Sequence, residues 1–159
     1  MRYPATRFLG RSAGFTLVEL LVVVLIIGIL GALTLPRFGT SLSRYQLDTT
    51  ARLLAADIRD VQEIVLNKEN NEEYRFHFYA ERYTVNCGPH ILKTVRLPGN
   101  LYITASVFGS SRERVYFNSG SVAPQPGGGT VILTDRMTGL ESRVIVKPVT
   151  GRVRTQNRW

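Results

Sequence analysis

The strongest constraint in this sequence is a run of 21 residues, Phe15 to Leu35, in which Glu19 is the one charged side chain. As an α-helix rising about 1.5 Å per residue, the run would span about 31 Å, close to the hydrocarbon thickness of a bilayer. A core helix of a soluble protein shows a polar face, and the stretch from Val22 to Leu33 has none. The run therefore predicts a transmembrane helix over residues 15–35.

A secretory signal peptide is the main alternative for this N-terminus, because three arginines precede the run: Arg2, Arg7 and Arg11. A signal peptide has an apolar stretch of about 7–15 residues followed by a small-residue cleavage site. Here the run is longer, and Pro36 and Arg37 follow it. The small residue Gly14 stands before the run, so cleavage there would remove a basic leader, residues 1–14, and keep the helix. The leader arginines favour a cytoplasmic N-terminus and a C-terminal part outside the cytoplasmic membrane.

The motif GFTLVE, from Gly14 to Glu19, followed by an apolar helix and then Pro36, resembles the prepilin signature of type IV pilins and of type II secretion pseudopilins. The resemblance implies that a prepilin peptidase cuts between Gly14 and Phe15 on the cytoplasmic face and that Phe15 is then N-methylated. It also implies a helix kink at Pro36. In the family, the residue at the position of Glu19 is thought to pair with the N-terminus of a neighbouring subunit in a helical filament.

Physical chemistry gives Glu19 a similar role. A charged residue at the centre of a membrane helix costs on the order of 2.5–3.5 kcal/mol, so it usually marks a partner. Cleavage would create a cationic amino group on Phe15, which is also four residues from Glu19 and so on the same helix face. The alternative is that Glu19 lies near the interface and only snorkels toward water. We favour a role in assembly.

Beyond Pro36 the apolar residues recur every three or four positions, which predicts an amphipathic helix over residues 36–67 that continues the first helix and ends near Asn67. Its apolar stripe is expected to cover a sheet. The stripe consists of Leu47, Ala51, Leu54, Ile58, Val61 and Val65.

Residues 68–159 predict a β-rich globular domain. The stretch YRFHFY alternates apolar and polar positions from Tyr74 to Tyr79, and RYTVN resumes after Ala80-Glu81, which indicates a hairpin. The predicted fold class is α+β, with the long N-terminal helix packed on an antiparallel β-sheet domain. Further strands are predicted at Ile91–Leu97, Leu101–Val107, Val115–Phe117, Thr130–Thr134, Arg143–Lys147 and Gly151–Val153.

The second half carries a further resemblance. The stretches VYFNSGSVAPQPGGGTVILTD and SRVIVKPVTGRVR are similar to the C-terminal region of the GspH/FimT group of pseudopilins and minor pilins. This implies a minor structural subunit, H-like, of a type II secretion pseudopilus or of a type IV pilus, assembled with other pilins or pseudopilins. Such a subunit crosses the inner membrane once, has a periplasmic C-terminal domain, and then enters the filament. The sequence leaves pseudopilus and pilus open.

Residues that could carry catalysis are sparse. Cys87 is the lone cysteine, and His77 and His90 are the only histidines, too few for a recognisable zinc site or an internal disulfide. The glycine-rich segment from Pro124 to Gly129 lacks the Lys-Ser or Lys-Thr of a phosphate-binding loop and predicts a flexible hairpin connection. The sequence therefore predicts no enzyme, cofactor, metal or small-molecule substrate.

Positive charge is the one feature that suggests a ligand. The chain carries +8, and removing the three leader arginines leaves 17 basic and 12 acidic residues, or +5. If Gly151 to Arg154 is a strand, Arg152 and Arg154 share a face about 6.6 Å apart, a spacing that suits successive phosphates. The resemblance to FimT-type minor pilins, some of which bind DNA through a C-terminal Gly-Arg-x-Arg, implies an alternative function. Arg152 and Arg154 would then hold DNA during natural transformation, although a basic tail is also a common solvated surface.

Overall fold

A computed structural model describes residues 15–67 and 72–159, without the side chains of residues 32–38. One helix, α1 (Leu17–Asn67), precedes eight strands, which confirms the predicted α+β class. The chain divides between Gly39 and Thr40 into two compact units. The strands are β1 (Tyr74–Phe78), β2 (Arg82–Cys87), β3 (His90–Arg96), β4 (Leu101–Phe108), β5 (Arg114–Phe117), β6 (Gly129–Asp135), β7 (Glu141–Val146) and β8 (Val153–Arg158).

The start of α1 is capped by Thr16. The backbone N–H of Glu19 donates to Thr16 Oγ1 at 3.2 Å, and the N–H of Leu20 donates to the Thr16 carbonyl at 3.2 Å. A Thr at the N-cap satisfies a backbone donor that the first helical turn would leave unpaired. Pro36 lies inside α1, and the kink predicted there stays a prediction. Among the described residues, no helix reaches the length and hydropathy of a membrane-spanning segment.

The strands form two antiparallel four-stranded sheets, which we call sheet A (order β3-β2-β1-β5) and sheet B (order β4-β6-β7-β8). The predicted hairpin is confirmed as β1 and β2, with Phe76 opposite Val85. The segment from Pro124 to Gly129 is not a hairpin connection, because it leads from β5 in sheet A to β6 in sheet B. Gln125 pairs with Tyr116 of β5 on the way, through two backbone hydrogen bonds of 2.9 and 3.1 Å.

The last strand was predicted in the wrong place. The sequence indicated Gly151–Val153, whereas β8 runs from Val153 to Arg158 and pairs with β7. Gly151 has φ of +62° and belongs to the turn before the strand. The remainder of β8, Arg154 to Arg158, is entirely polar, so no apolar alternation marked it. The Asn157 Nδ2 donates to Asp48 Oδ1 of α1 at 3.0 Å, an interaction that fixes the strand through a polar contact.

The apolar stripe of α1 forms the core with both sheets, as predicted. All six stripe residues have a relative exposure of 4% or less, and they belong to one buried cluster with residues such as Phe76 of sheet A and Leu133 of sheet B. A polar contact also links α1 to sheet A. Tyr83 Oη donates to Asp57 Oδ2 at 2.7 Å, and Lys93 Nζ donates to Asp57 Oδ1 at 2.7 Å. Two donors compensate the nearly buried carboxylate for its lost hydration.

Candidate functional site

The N-terminal part of α1 is an apolar surface in which Glu19 is the one charged residue. Every described side chain from Phe15 to Leu30 is exposed, including 82% of Phe15 and 74% of Leu17. Exposed apolar surface costs on the order of 25 cal/mol per Å² relative to burial, and a patch of this kind marks an interaction with lipid or protein. The first half of α1 is therefore built to be covered by something outside the chain.

Glu19 is the one acidic residue in the first turn of α1. Its side chain is exposed, so it is open to a partner, and a carboxylate at a helix N-terminus is favourably placed against the helix dipole. Thr16 and Glu19 have the Thr-x-x-Glu spacing of a capping box. That spacing was visible in the sequence and was missed. Phe15 is the first described residue, and Gly14, the other half of the predicted cleavage site, lies outside the described residues.

The turn between β7 and β8 is held by a side chain of α1. Gln62 Nε2 donates to the carbonyl oxygen of Gly151 at 2.7 Å and to that of Val122 at 3.0 Å. Gly151 is buried, and a Cβ at this position would lie 2.2 Å from the Val122 carbonyl oxygen. Only glycine fits both the positive φ and this close approach. Gln62 was not singled out by the sequence, because its partners are 60 and 89 residues away.

The structure leaves Arg152 and Arg154 both exposed at this end of sheet B. Arg152 lies in the turn, where its carbonyl accepts from the Lys147 N–H at 3.0 Å, and Arg154 lies on β8 opposite Ile145. Within the described part of the chain, no carboxylate forms an ion pair with either guanidinium. The prediction that Arg152 and Arg154 share one strand is therefore wrong, because only Arg154 belongs to β8. Both side chains are nevertheless exposed to solvent.

Two other arginines near the C-terminus have an acidic neighbour. Arg143 forms an ion pair with Glu141 at 3.1 Å, and Arg158 stands opposite Glu141 on β8. The guanidinium of Arg44 lies 5.9 Å from the centre of the Trp159 ring, a cation–π contact. Arg152 and Arg154 are consequently better candidates than Arg143 and Arg158 for an external anion.

The residues considered for metal chemistry do not converge. Cys87 is buried, and its thiol donates to Glu72 Oε2 at 2.7 Å. Burial, followed by this hydrogen bond to a carboxylate, raises the pKa of the thiol and so suppresses the reactive thiolate. His77 faces the outer side of sheet A, where burial and then the charges of Arg75 and Arg114 lower its pKa. Across residues 15–67 and 72–159, no group of three or more metal-ligating side chains is present.

The N-terminal segment and the fold each match known proteins. Residues 9–35 match the family model of the prokaryotic N-terminal methylation motif. The solved structure of the minor pseudopilin EpsH from the type 2 secretion system of Vibrio cholerae aligns with a TM-score of 0.55 at 9% sequence identity. The alignment covers 70% of this chain and 97% of that one. The fold is similar to that of this minor pseudopilin.

The resemblance to type IV pilin-like pseudopilins is thus confirmed by the N-terminal motif and by the fold. A search of curated protein sequences gave no significant match. At 9% identity the structural likeness is carried by backbone architecture rather than by shared side chains.

Proposed function

We propose that this chain is a minor, H-like structural subunit of a type II secretion pseudopilus or a type IV pilus. The observation that carries the proposal is the exposed apolar surface from Phe15 to Leu30, which lies within the matched methylation motif and belongs to a chain with a pseudopilin-like fold. Inserted in the inner membrane, this surface is covered by lipid. In a filament, the matching helices of neighbouring subunits cover it.

The N-terminus supplies the chemistry of assembly. A prepilin peptidase removes residues 1–14, and the new amino group of Phe15 is methylated. The amino group remains cationic after methylation and pairs with the Glu19 carboxylate of a neighbouring subunit as both leave the lipid. An unpaired carboxylate among packed apolar helices would be costly, so this pair also sets the axial register between subunits.

The test is the substitution Glu19→Val in the full-length chain, expressed with its filament system. We expect normal cleavage and membrane insertion but loss of the chain from the sheared filament fraction, because the neighbour's amino group loses its partner. Glu63→Val, which removes an exposed carboxylate from the second half of α1, is the matched control and should incorporate normally. Incorporation of Glu19→Val at the control level would refute the proposed role of Glu19.

A second candidate function rests on Arg152 and Arg154, which are exposed and without an ion-paired carboxylate in the described part of the chain. In that account the chain is a FimT-type minor pilin that binds DNA for natural transformation through phosphate contacts. The double substitution Arg152→Gln/Arg154→Gln should weaken duplex binding and reduce the slope of log K against log salt by about 1.8, since each phosphate contact contributes about 0.9. An unchanged salt slope would exclude these contacts.

A further inference from the structure

A second basic surface lies on the outer face of sheet A, the face turned away from α1. The inner face of β1 carries Phe76 and Phe78, both buried in the core, so the alternate residues Arg75, His77 and Tyr79 point outward. The register extends this outer face across all four strands of the sheet. The outward residues on the other strands are Arg82, Thr84 and Asn86 of β2, Ile91, Thr94 and Arg96 of β3, and Arg114 and Tyr116 of β5.

Two arginines of this face stand directly opposite each other, Arg82 on β2 and Arg96 on β3. Side chains opposite each other on antiparallel strands have Cβ atoms about 4.5–5.5 Å apart, and like charges in this position destabilise a sheet. Both residues are exposed, and no carboxylate in residues 15–67 or 72–159 forms an ion pair with either of them. An external anion placed between them would remove the repulsion.

An aromatic ring lies beside this charge pair. The guanidinium of Arg82 lies 4.8 Å from the centre of the Tyr79 ring, and 46% of Tyr79 is exposed. Tyr79, Arg82 and Arg96 line one shallow depression together with His77 and Thr94. Exposed aromatic rings and guanidinium planes are the surfaces on which unpaired bases stack.

The opposite end of the face is also positive. Arg114 of β5 stands opposite His77 and has no ion-paired carboxylate in the described part of the chain, whereas Arg75 is paired with Glu73. Four strands spaced about 4.8 Å apart place β3 and β5 about 14 Å from each other, a distance that two or three nucleotides can cover. Among the described residues, the acidic groups near the face include Glu73, paired with Arg75, and Glu81, paired with Arg136. Glu113 is a third, and its charge acts on His77.

We propose that the outer face of sheet A binds single-stranded nucleic acid, with phosphate held between Arg82 and Arg96 and a base stacked on the Tyr79–Arg82 pair. An acidic peptide would satisfy the arginines but would make no use of the aromatic ring. The proposal does not depend on assembly into a filament, and it concerns a sheet other than the one that carries Arg152 and Arg154.

The test is fluorescence anisotropy of a labelled oligothymidylate of about 12 nucleotides, a length within the usual site size of such proteins. The titrant is the full-length chain in a non-ionic detergent, at several salt concentrations. Wild-type protein should bind at low salt. Arg82→Gln/Arg96→Gln should weaken binding about tenfold and lower the salt slope by about 0.7, because the two arginines hold one phosphate and each single-strand phosphate contact contributes about 0.7. Tyr79→Ala should weaken binding at least about fivefold, while Tyr79→Phe retains it.

Two controls make the test specific. Arg44→Gln/Arg52→Gln removes the same charge from exposed positions of α1 and should leave binding unchanged. Circular dichroism should show that Arg82→Gln/Arg96→Gln is folded, as expected for a substitution that removes a repulsive pair. The proposal is overturned if wild-type protein fails to bind, if Arg82→Gln/Arg96→Gln binds normally, or if a polyglutamate peptide competes as well as the oligonucleotide. Complete loss of binding in Arg152→Gln/Arg154→Gln would also overturn it, because the site would then lie on sheet B.

Discussion

Replacing Gly151 by alanine tests how the turn that carries Arg152 is held. Gly151 has φ of +62°, and an added Cβ would lie 2.2 Å from the Val122 carbonyl oxygen and 2.7 Å from Gln62 Nε2. The left-handed conformation alone costs a residue with a Cβ about 1–2 kcal/mol. The backbone clash requires the turn to move, which would break the two hydrogen bonds from Gln62, each worth about 1 kcal/mol. We therefore expect Gly151→Ala to lower the free energy of unfolding by about 3–4 kcal/mol.

Gly139 offers a matched control, because its φ is +68° and a Cβ there would meet no atom within 4 Å. Gly139→Ala should cost only the conformational term, about 1–2 kcal/mol. The assay is urea unfolding of the full-length chain in detergent, followed by far-ultraviolet circular dichroism and by the fluorescence of Trp159, the one tryptophan. The difference in the free energy of unfolding between the two variants measures the energetic cost of the close approach at Gly151. Equal destabilisation by both substitutions would refute the account of this turn.

Two further predictions concern the contact between α1 and the sheets. Ile58→Ala should lower the free energy of unfolding by about 2–5 kcal/mol in the same urea assay, because Ile58 is fully buried, whereas the 43% exposed Leu53 should tolerate alanine with a smaller loss. Burial, followed by the hydrogen bond to Asp57, raises the pKa of Tyr83 in the folded chain, so the unfolded chain loses this proton first as pH rises. Stability should therefore fall above about pH 10, the unperturbed pKa of tyrosine, and Tyr83→Phe should show a shallower fall; identical alkaline slopes would contradict this.

The spacing of apolar residues in the sequence predicted much of the fold. The three-and-four spacing from Leu47 to Val65 identified the buried face of α1, and the alternation around Phe76 identified β1, because burial selects side chains by their direction from the backbone. In β8 the inward residues Thr155 and Asn157 are polar, and Asn157 contacts its neighbours by hydrogen bonds, so hydrophobic patterning could not locate the strand. The sequence also did not predict the crossover from β5 to β6. A glycine- and proline-rich segment has the same composition whether it connects two strands of one sheet or leads to another sheet.

The candidate sites also differ in how far the sequence alone could predict them. Glu19 and the predicted cleavage site lie in a contiguous motif, so the sequence alone could propose them. The hydrogen bond from Gln62 to Gly151 joins residues far apart in the chain. The pairing of Arg82 with Arg96 depends on a register that shifts between Val85 and Asn86. Such long-range contacts follow from the assembled sheet and leave no local signal in the sequence.

The central claim, that the chain is a processed filament subunit, is tested most directly by mass spectrometry of the sheared filament fraction from cells that express the full-length chain. The account predicts that the chain is present there and begins at an N-methylated Phe15. Absence of the chain from that fraction, or its recovery with residues 1–14 still attached, would contradict the account.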